Sequence, residues 1–186
     1  SDYPSGEQLW AAVEEMAARA RAARIPFALL GGIAAQIYGS ELLTRDVDFV
    51  AAAPLPGTTR RQRRLSFGGY RYMVSVPARR EPIAADWILR DDALQLLYLD
   101  ALQHAHPVRG SGGVPVVPAE HLVAIKMIAN RARDQIAYFA ILRARRADPR
   151  RVVVLLERFV TSRDIATHYV HQMLQAALMD LPDVET

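Results

Sequence analysis

Apolar residues recur along this chain with the period of a helix in some segments and that of a strand in others. Residues 5–23 have helical spacing and predict the first helix. The short apolar run Phe27–Leu30 predicts a buried strand. This strand ends at Gly31 and Gly32, where a second, short helix is expected to begin, with Gly39 as its C-terminal cap.

The same periodicities predict the elements of the rest of the chain. Strands are expected at residues 46–53, 70–76, 82–89 and 114–117. Pro115 suggests that the last of these is an edge strand, because proline cannot donate to a ladder. Helices are expected at residues 92–104, 119–131, 134–142, 149–160 and 162–179, with a further short helix over Thr58–Leu65. These elements indicate an α/β (α+β) protein with a helical C-terminal portion.

Two carboxylates lie at the start of the second predicted strand. Strand side chains alternate, so Asp46 and Asp48 share one face. Two adjacent carboxylates repel each other, and burying them without a partner is costly. A divalent cation removes both problems, and Mg²⁺ is often held by one or two carboxylates together with substrate phosphates. The helix start at Gly31 and Gly32 suits a phosphate, because its backbone N–H groups are free.

A third acid, Asp86, lies inside the otherwise apolar strand 82–89 and therefore needs a partner. One interpretation is a salt bridge to a nearby arginine. The other, which we favour, is that Asp86 is the third carboxylate of the metal site. Asp91 and Asp92, at the end of the same strand, are the alternative donors.

A dense basic cluster follows the second strand and consists of Arg60, Arg61, Arg63 and Arg64. The simple interpretation is a solvated surface. The functional interpretation is contact with RNA or with a triphosphate, because arginine pairs well with phosphate.

Composition and charge narrow the function classes. Of the 186 residues, 51% are hydrophobic, which predicts a packed core and argues against disorder. The absence of cysteine excludes disulfides, thiol nucleophiles and zinc sites built on cysteine. The net charge of +3 permits a nucleic-acid partner without requiring one. We see no signal peptide and no apolar run of membrane-spanning length, so the expectation is a cytoplasmic protein without a membrane partner.

The order of these motifs resembles a known superfamily. Gly31-Gly32, a short helix, Gly39, Thr44-Arg45 and then Asp46-x-Asp48 are similar to the nucleotidyltransferase (polymerase-beta-like) superfamily, and within it to the AbiEii-like toxin group. The resemblance implies a mixed sheet flanked by helices, with a nucleotidyltransferase core at 1–117 and a helical portion at 118–186 packed on it.

A second block strengthens the resemblance. Residues 116–126 and 130–134 resemble a helix of the AbiEii-like group that carries a lysine, here Lys126, followed by an Arg-x-x-Asp turn, here Arg131 to Asp134. The chain departs from the group at Tyr138, where the group often has another acid. Lys126 could meet a nucleotide phosphate, or it could be an ordinary lysine on an amphipathic helix.

The resemblance also implies roles for these residues. Metal would be held by Asp46, Asp48 and Asp86, which with Lys126 form the catalytic set, and the ion would be Mg²⁺ or Mn²⁺. The nucleotide would be bound by Gly31, Gly32, Arg45 and Lys126.

The predicted reaction moves a nucleoside monophosphate from an NTP to an acceptor. The AbiEii-like resemblance makes tRNA the favoured acceptor, and the protein would be the toxin of a toxin–antitoxin pair with a cognate antitoxin as partner. A nucleotidyltransferase acting on a small molecule such as an antibiotic is the second interpretation. A non-catalytic nucleotide-binding module is the third. His168 and His171 share a helix face but have no third ligand at a matching spacing, so we interpret them as ordinary surface or interface residues.

Overall fold

The computed structural model describes residues 3–160, 168–173 and 175. The strands are β1 (Phe27–Leu30), β2 (Val47–Ala51), β3 (Arg63–Arg64), β4 (Gly69–Val74), β5 (Ile83–Ile88), β6 (His106–Pro107) and β7 (Pro115–Val116). The helices are α1 (Gly6–Ala22), α2 (Gly31–Ile37), α3 (Gln95–Gln103), α4 (Ala119–Ala129), α5 (Ala132–Arg143) and α6 (Pro149–Phe159). Residues 168–173 are also helical, and the predicted ends of that helix, Ser162 and Met179, lie outside the described residues.

The strands form one seven-stranded mixed sheet in the order β3-β4-β5-β2-β1-β7-β6. The β2–β5 and β1–β7 pairs are parallel, and the other neighbouring pairs are antiparallel. Helices flank this sheet, which confirms the predicted fold class.

Among the described residues, one hydrophobic core joins the sheet to the helices. Phe27, Phe49 and Trp87 form an aromatic cluster on the central strands, with ring centroids 5.4–6.1 Å apart. Buried residues of α4, α5 and α6 belong to the same core as those of the sheet. The division of the chain at residue 117 stays a prediction. No helix within the described ranges has the length and apolar character needed to cross a membrane.

The short helix predicted over Thr58–Leu65 is wrong. The segment begins in turns, and Arg63–Arg64 form the edge strand β3, which pairs antiparallel with β4. The backbone N–H of Leu65 also bonds the carbonyl of Gly69, closing a tight connection to β4. Both positive-φ glycines of this connection, Gly68 and Gly69, allow the tight return. Pairing with β4 satisfies backbone hydrogen-bonding groups of this segment, so Arg63 and Arg64 extend along the edge of the sheet.

The edge position predicted for residues 114–117 is also wrong. β7 lies inside the sheet between β1 and β6, and β6 is the edge strand. The backbone N–H of Val117, one residue beyond the strand, donates to the carbonyl of Leu29. Pro115 therefore does not have to supply this bond to β1, and its missing N–H is tolerated inside the sheet.

Candidate active site

The register of four neighbouring strands brings one row of side chains together. Asp48 on β2 lies opposite Leu30 on β1, the residue just before Gly31. On its other side Asp48 lies opposite Asp86 on β5, and Asp86 in turn lies opposite Arg71 on β4. Residues directly opposite each other in a sheet share a face. The sheet therefore places Asp48, Asp86 and Arg71 side by side.

Three carboxylates converge at this row. Asp46, two residues before Asp48, joins Asp48 and Asp86 so that one carboxylate oxygen of each lies within 4.8 Å of the others. Buried Thr44 orients Asp46, since its hydroxyl lies 3.1 Å from both the carbonyl and the carboxylate Oδ1 of Asp46. The structure thus brings together the three acids proposed as metal ligands. The alternative donors Asp91 and Asp92 are not in this cluster, and Asp92 instead pairs with Arg90.

Arg71 also contacts this cluster. Its Nε and Nη2 donate to the two oxygens of Asp86 at 2.6 and 2.7 Å, and Nη2 lies 3.9 Å from Asp46 Oδ2. The arginine partner expected for Asp86 is therefore confirmed, whereas its role as the third metal ligand stays a prediction, although it also faces the other two acids. One guanidinium cannot neutralise three carboxylates, so the cluster keeps a surplus of negative charge.

This surplus acts most strongly on Asp48. Burial, together with the charges of Asp46 and Asp86, raises the pKa of Asp48 to about 7, although Lys126 and the backbone N–H of Gly32 act in the opposite direction. Three hard oxygen donors in a partly buried, mutually repelling set match the ligand preference of Mg²⁺ or Mn²⁺. The residues present therefore fit a divalent cation.

The raised pKa predicts a pH dependence for the protein freed of divalent cations. In the unfolded chain Asp48 loses its proton near pH 4, whereas in the folded protein it keeps it up to about pH 7. Between these values the folded state binds more protons, so the free energy of unfolding should fall as pH rises. Urea unfolding in EDTA at several pH values measures this. The slope of the free energy of unfolding against pH should be shallower in Asp48→Asn than in the parent protein. Equal slopes in the two proteins would contradict the raised pKa assigned to Asp48.

The glycine pair leaves space that the acids use. Gly31 has a φ of +65°, and a Cβ there would overlap the carboxylate of Asp48. A Cβ on Gly32 would meet the side chain of Thr44 at 2.8 Å. Glycine at both positions is therefore required by the close approach of α2 to Asp48 and Thr44. The same approach lets the N–H of Gly32 hydrogen-bond Asp48.

The second sequence block forms a charged group at α4 and the start of α5, consisting of Lys126, Arg131 and Asp134. Lys126 Nζ lies 3.4 Å from Asp134 Oδ1, and Arg131 Nε donates to Asp134 Oδ2 at 2.7 Å. Burial alone would raise the pKa of Asp134, but the Arg131 hydrogen bond and Lys126 together lower it. The side chain of Lys126 is only 11% exposed, so it is held in place and does not extend into solvent. Tyr138 is buried in the core.

The glycine pair, the carboxylate row and the charged group at α4 and α5 all line one cleft of about 770 Å³, whereas Tyr138 does not. This volume is within the range of sites for small molecules and nucleotides. The cleft contains Gly31, Gly32, the three acids and Lys126, together with five arginines, which are Arg63, Arg64, Arg71, Arg131 and Arg133.

Other predicted site residues lie elsewhere. Arg60 and Arg61 are exposed and do not line the cleft, so the structure divides the basic cluster into two pairs. Arg45 is exposed and stacks over the ring of Tyr3 at 4.4 Å, also outside the cleft lining. Its predicted contact with nucleotide has no support from this position.

Sequence reasoning did not identify Arg71, Thr44 or Arg133 as site residues. Arg133 lines the cleft and donates to the carbonyl of Leu43 at 2.6 Å, linking α5 to the segment before Asp46. The sequence predicts that an arginine could pair with Asp86 but does not identify which one. The strands expected at residues 70–76 and 82–89 leave residues 78–81 for the turn between them, and a turn centred there would put Met73 opposite Asp86. The observed register puts Arg71 there.

Known proteins resemble this chain in structure but not in sequence. Comparisons with models of protein families and with curated protein sequences give no significant match. An antigenic nucleotidyltransferase-like protein from Paracoccidioides brasiliensis aligns over 97% of this chain and 91% of its own, with a TM-score of 0.54 at 14% identity. A candidate nucleotidyltransferase from Helicobacter pylori aligns over 95% and 96% (TM-score 0.48), and JHP933 from the same species over 95% and 93% (0.46), both at 15% identity. The alignment with the Paracoccidioides protein shows that this chain has the fold of a nucleotidyltransferase-like protein.

Proposed function

We propose that this protein is a metal-dependent nucleotidyltransferase that moves a nucleoside monophosphate from an NTP to an acceptor. The observation that carries the proposal is the convergence of Asp46, Asp48 and Asp86 within 4.8 Å, beside the glycine pair and inside a cleft rich in arginine. Mg²⁺ or Mn²⁺ bound to these carboxylates would supply charge neutralisation at the reacting phosphate.

The residues of the cleft have separate tasks in this proposal. Gly31 and Gly32 leave room for the triphosphate to approach the backbone, and Lys126 offsets its charge. Arg63, Arg64 and Arg133 form no ion pair with any residue that the structure describes, so their charge is available to phosphate, although Arg133 also donates to the carbonyl of Leu43. The reaction then needs positioning and electrostatic stabilisation without a covalent enzyme intermediate.

The chemical step forms one bond and breaks one. An acceptor oxygen attacks the α-phosphorus of the NTP, the bond from that phosphorus to the bridging oxygen breaks, and pyrophosphate leaves. The acceptor's proton passes to Asp86, whose two oxygens keep free lone pairs although Arg71 donates one hydrogen bond to each. We assign Arg71 to holding Asp86 in position.

We propose tRNA as the acceptor, with the protein acting as a toxin that a cognate antitoxin restrains. The support is the resemblance of both sequence blocks to the AbiEii-like group, together with Arg63 and Arg64 at the cleft edge. A small-molecule acceptor is the second candidate, because a cleft of about 770 Å³ also suits one. A non-catalytic module is less well supported, since a binding role for triphosphate gives no reason to assemble three repelling carboxylates.

Incubation of the protein with each labelled NTP, total tRNA and Mg²⁺ tests the function directly. We expect label in RNA from one or more NTPs and none when EDTA replaces Mg²⁺. A parallel reaction with aminoglycosides as small hydroxylated acceptors tests the second candidate. Absence of transfer to either acceptor class, with NTP binding intact, would favour the non-catalytic module.

The divided basic cluster gives a matched pair of variants. Arg63→Gln/Arg64→Gln removes cleft arginines, whereas Arg60→Gln/Arg61→Gln removes equal charge outside the cleft. If tRNA is the acceptor, the first variant should bind it more weakly, with the slope of log K against log salt reduced by about one to two. Filter binding across a salt titration measures this.

The second variant is the control and should change tRNA binding less. Equal losses in both variants would show that only overall charge matters. Full binding in both would remove the structural support for an RNA acceptor.

A further inference from the structure

A second group of metal-ligand side chains lies where α3 meets α4. Asp100 and His104 are four residues apart on α3 and its C-cap, and therefore share a helix face. His121 lies in the first turn of α4. One ligand atom from each of the three residues lies within 4.8 Å of the others.

Two distances within this group lie on either side of the ligand spacing of a coordination shell, and the shorter one is a hydrogen bond that an ion would replace. Asp100 Oδ2 lies 2.7 Å from His121 Nε2 and 3.7 Å from His104 Nδ1. In a tetrahedral zinc site with bonds of about 2.0–2.2 Å, neighbouring ligand atoms are about 3.3 Å apart. The two imidazole rings are inclined by 22°, with centroids 5.8 Å apart. His104 Nδ1 lies 2.8 Å from the backbone carbonyl of Asp100, which can only accept a hydrogen bond, so Nδ1 must give up its proton and this bond to bind an ion.

The donor set differs from that of the cleft. Two imidazole nitrogens and one carboxylate oxygen suit Zn²⁺ and other late transition metals, whereas three carboxylates suit Mg²⁺ or Mn²⁺. His121 is 7% exposed, while the side chain of His104 is 58% exposed and leaves one side open to solvent. An ion could therefore enter past His104 and keep a water as its fourth ligand.

We propose that Asp100, His104 and His121 form a site for a transition-metal ion of the Zn²⁺ class, separate from the carboxylate cluster. The ion would join the end of α3 to the start of α4, the helix that carries Lys126. This proposal does not depend on the nucleotidyltransferase activity.

The surroundings of His121 set an upper limit on affinity. When Nε2 binds an ion, the ring proton must be on Nδ1, and Nδ1 is buried with no hydrogen-bond partner among the described residues. Loss of such a supporting contact weakens metal sites by about 10- to 100-fold. We therefore expect an exchangeable ion that chelators remove without unfolding the protein.

Cobalt titration of the full chain tests the proposal. The background is Asp48→Asn, which weakens the carboxylate cluster, and the protein is first stripped with EDTA. We expect one Co²⁺ per chain, visible absorption bands typical of nitrogen ligation, displacement by Zn²⁺ but not by excess Mg²⁺, and a rise in Tm with Zn²⁺.

Variants assign the ligands. His104→Ala, at an exposed position that should tolerate truncation, is expected to lower Co²⁺ affinity at least about 10-fold. His168→Ala is the matched control, because His168 is an exposed histidine outside the cluster, and this variant should bind Co²⁺ normally. Absence of the bands, or equal binding by His104→Ala and the background protein, would overturn the proposal.

Discussion

Replacement of Asp48 by asparagine should lower nucleotidyl transfer by at least about 10³-fold, since charge stabilisation by a bound metal contributes several kcal/mol to such reactions. Asp48 occupies the centre of the carboxylate row, between Asp86 on β5 and the glycine pair after β1. Asparagine keeps the shape of the side chain and removes its charge. The fold should survive, because the substitution relieves repulsion within the cluster.

Two measurements separate loss of chemistry from loss of structure. Turnover on the best acceptor gives the catalytic effect, and urea unfolding in EDTA near pH 8 should show Asp48→Asn as stable as the parent or more so. Asp91→Asn is the matched control, because Asp91 is an exposed acid outside the cluster. Near-normal transfer by Asp48→Asn would contradict the proposed metal site.

Replacement of Gly31 by alanine should have the second largest effect. The new Cβ would overlap the Asp48 carboxylate, so Asp48 must leave its position beside the N–H of Gly32. Displacing a reacting group by about 1 Å can cost about 10²-fold in rate. The positive φ of residue 31 adds strain of about 1–2 kcal/mol for any residue with a side chain.

Gly112→Ala separates these two causes. Gly112 has a φ of +56°, close to that of Gly31, but a Cβ there would meet nothing within 4 Å. Both variants should lose similar stability from backbone strain, but only Gly31→Ala should lose Mg²⁺-dependent NTP binding, measured by calorimetry. If both bind NTP normally, the glycine pair has only a structural role.

The site also suggests why Asp86 tolerates its buried position. Arg71 donates hydrogen bonds to both oxygens of Asp86. The negative charge that is not neutralised therefore lies mainly on Asp46 and Asp48. Arg71→Gln would remove this clamp and leave three repelling carboxylates. We therefore expect Arg71→Gln to lower the stability of the protein freed of divalent cations.

The sequence by itself determined the local elements around the cleft. A continuous apolar run, two glycines and alternating carboxylates are short-range signals, because strand period, backbone freedom and charge repulsion act within a few residues. Residues 27–51 accordingly fold as β1, α2 and β2, with Asp46 and Asp48 directed to one site. The apolar setting of Asp86 likewise indicated that it needed a partner.

The tertiary structure decided which distant side chains meet. Strand register is set by turn geometry and by packing, so only the fold could choose Arg71 over Met73 as the residue opposite Asp86. The same applies to the basic cluster, where pairing of β3 with β4 brings Arg63 and Arg64 to the cleft and leaves Arg60 and Arg61 outside.

Helix packing provides the last example. Sequence spacing drew attention to His168 and His171, whereas packing of α3 against α4 joined Asp100 and His104 to His121, 17 residues beyond His104. No local period links these positions. Their proximity follows from burial of two apolar helix faces in one core, an effect that depends on the whole chain and not on any short segment of it.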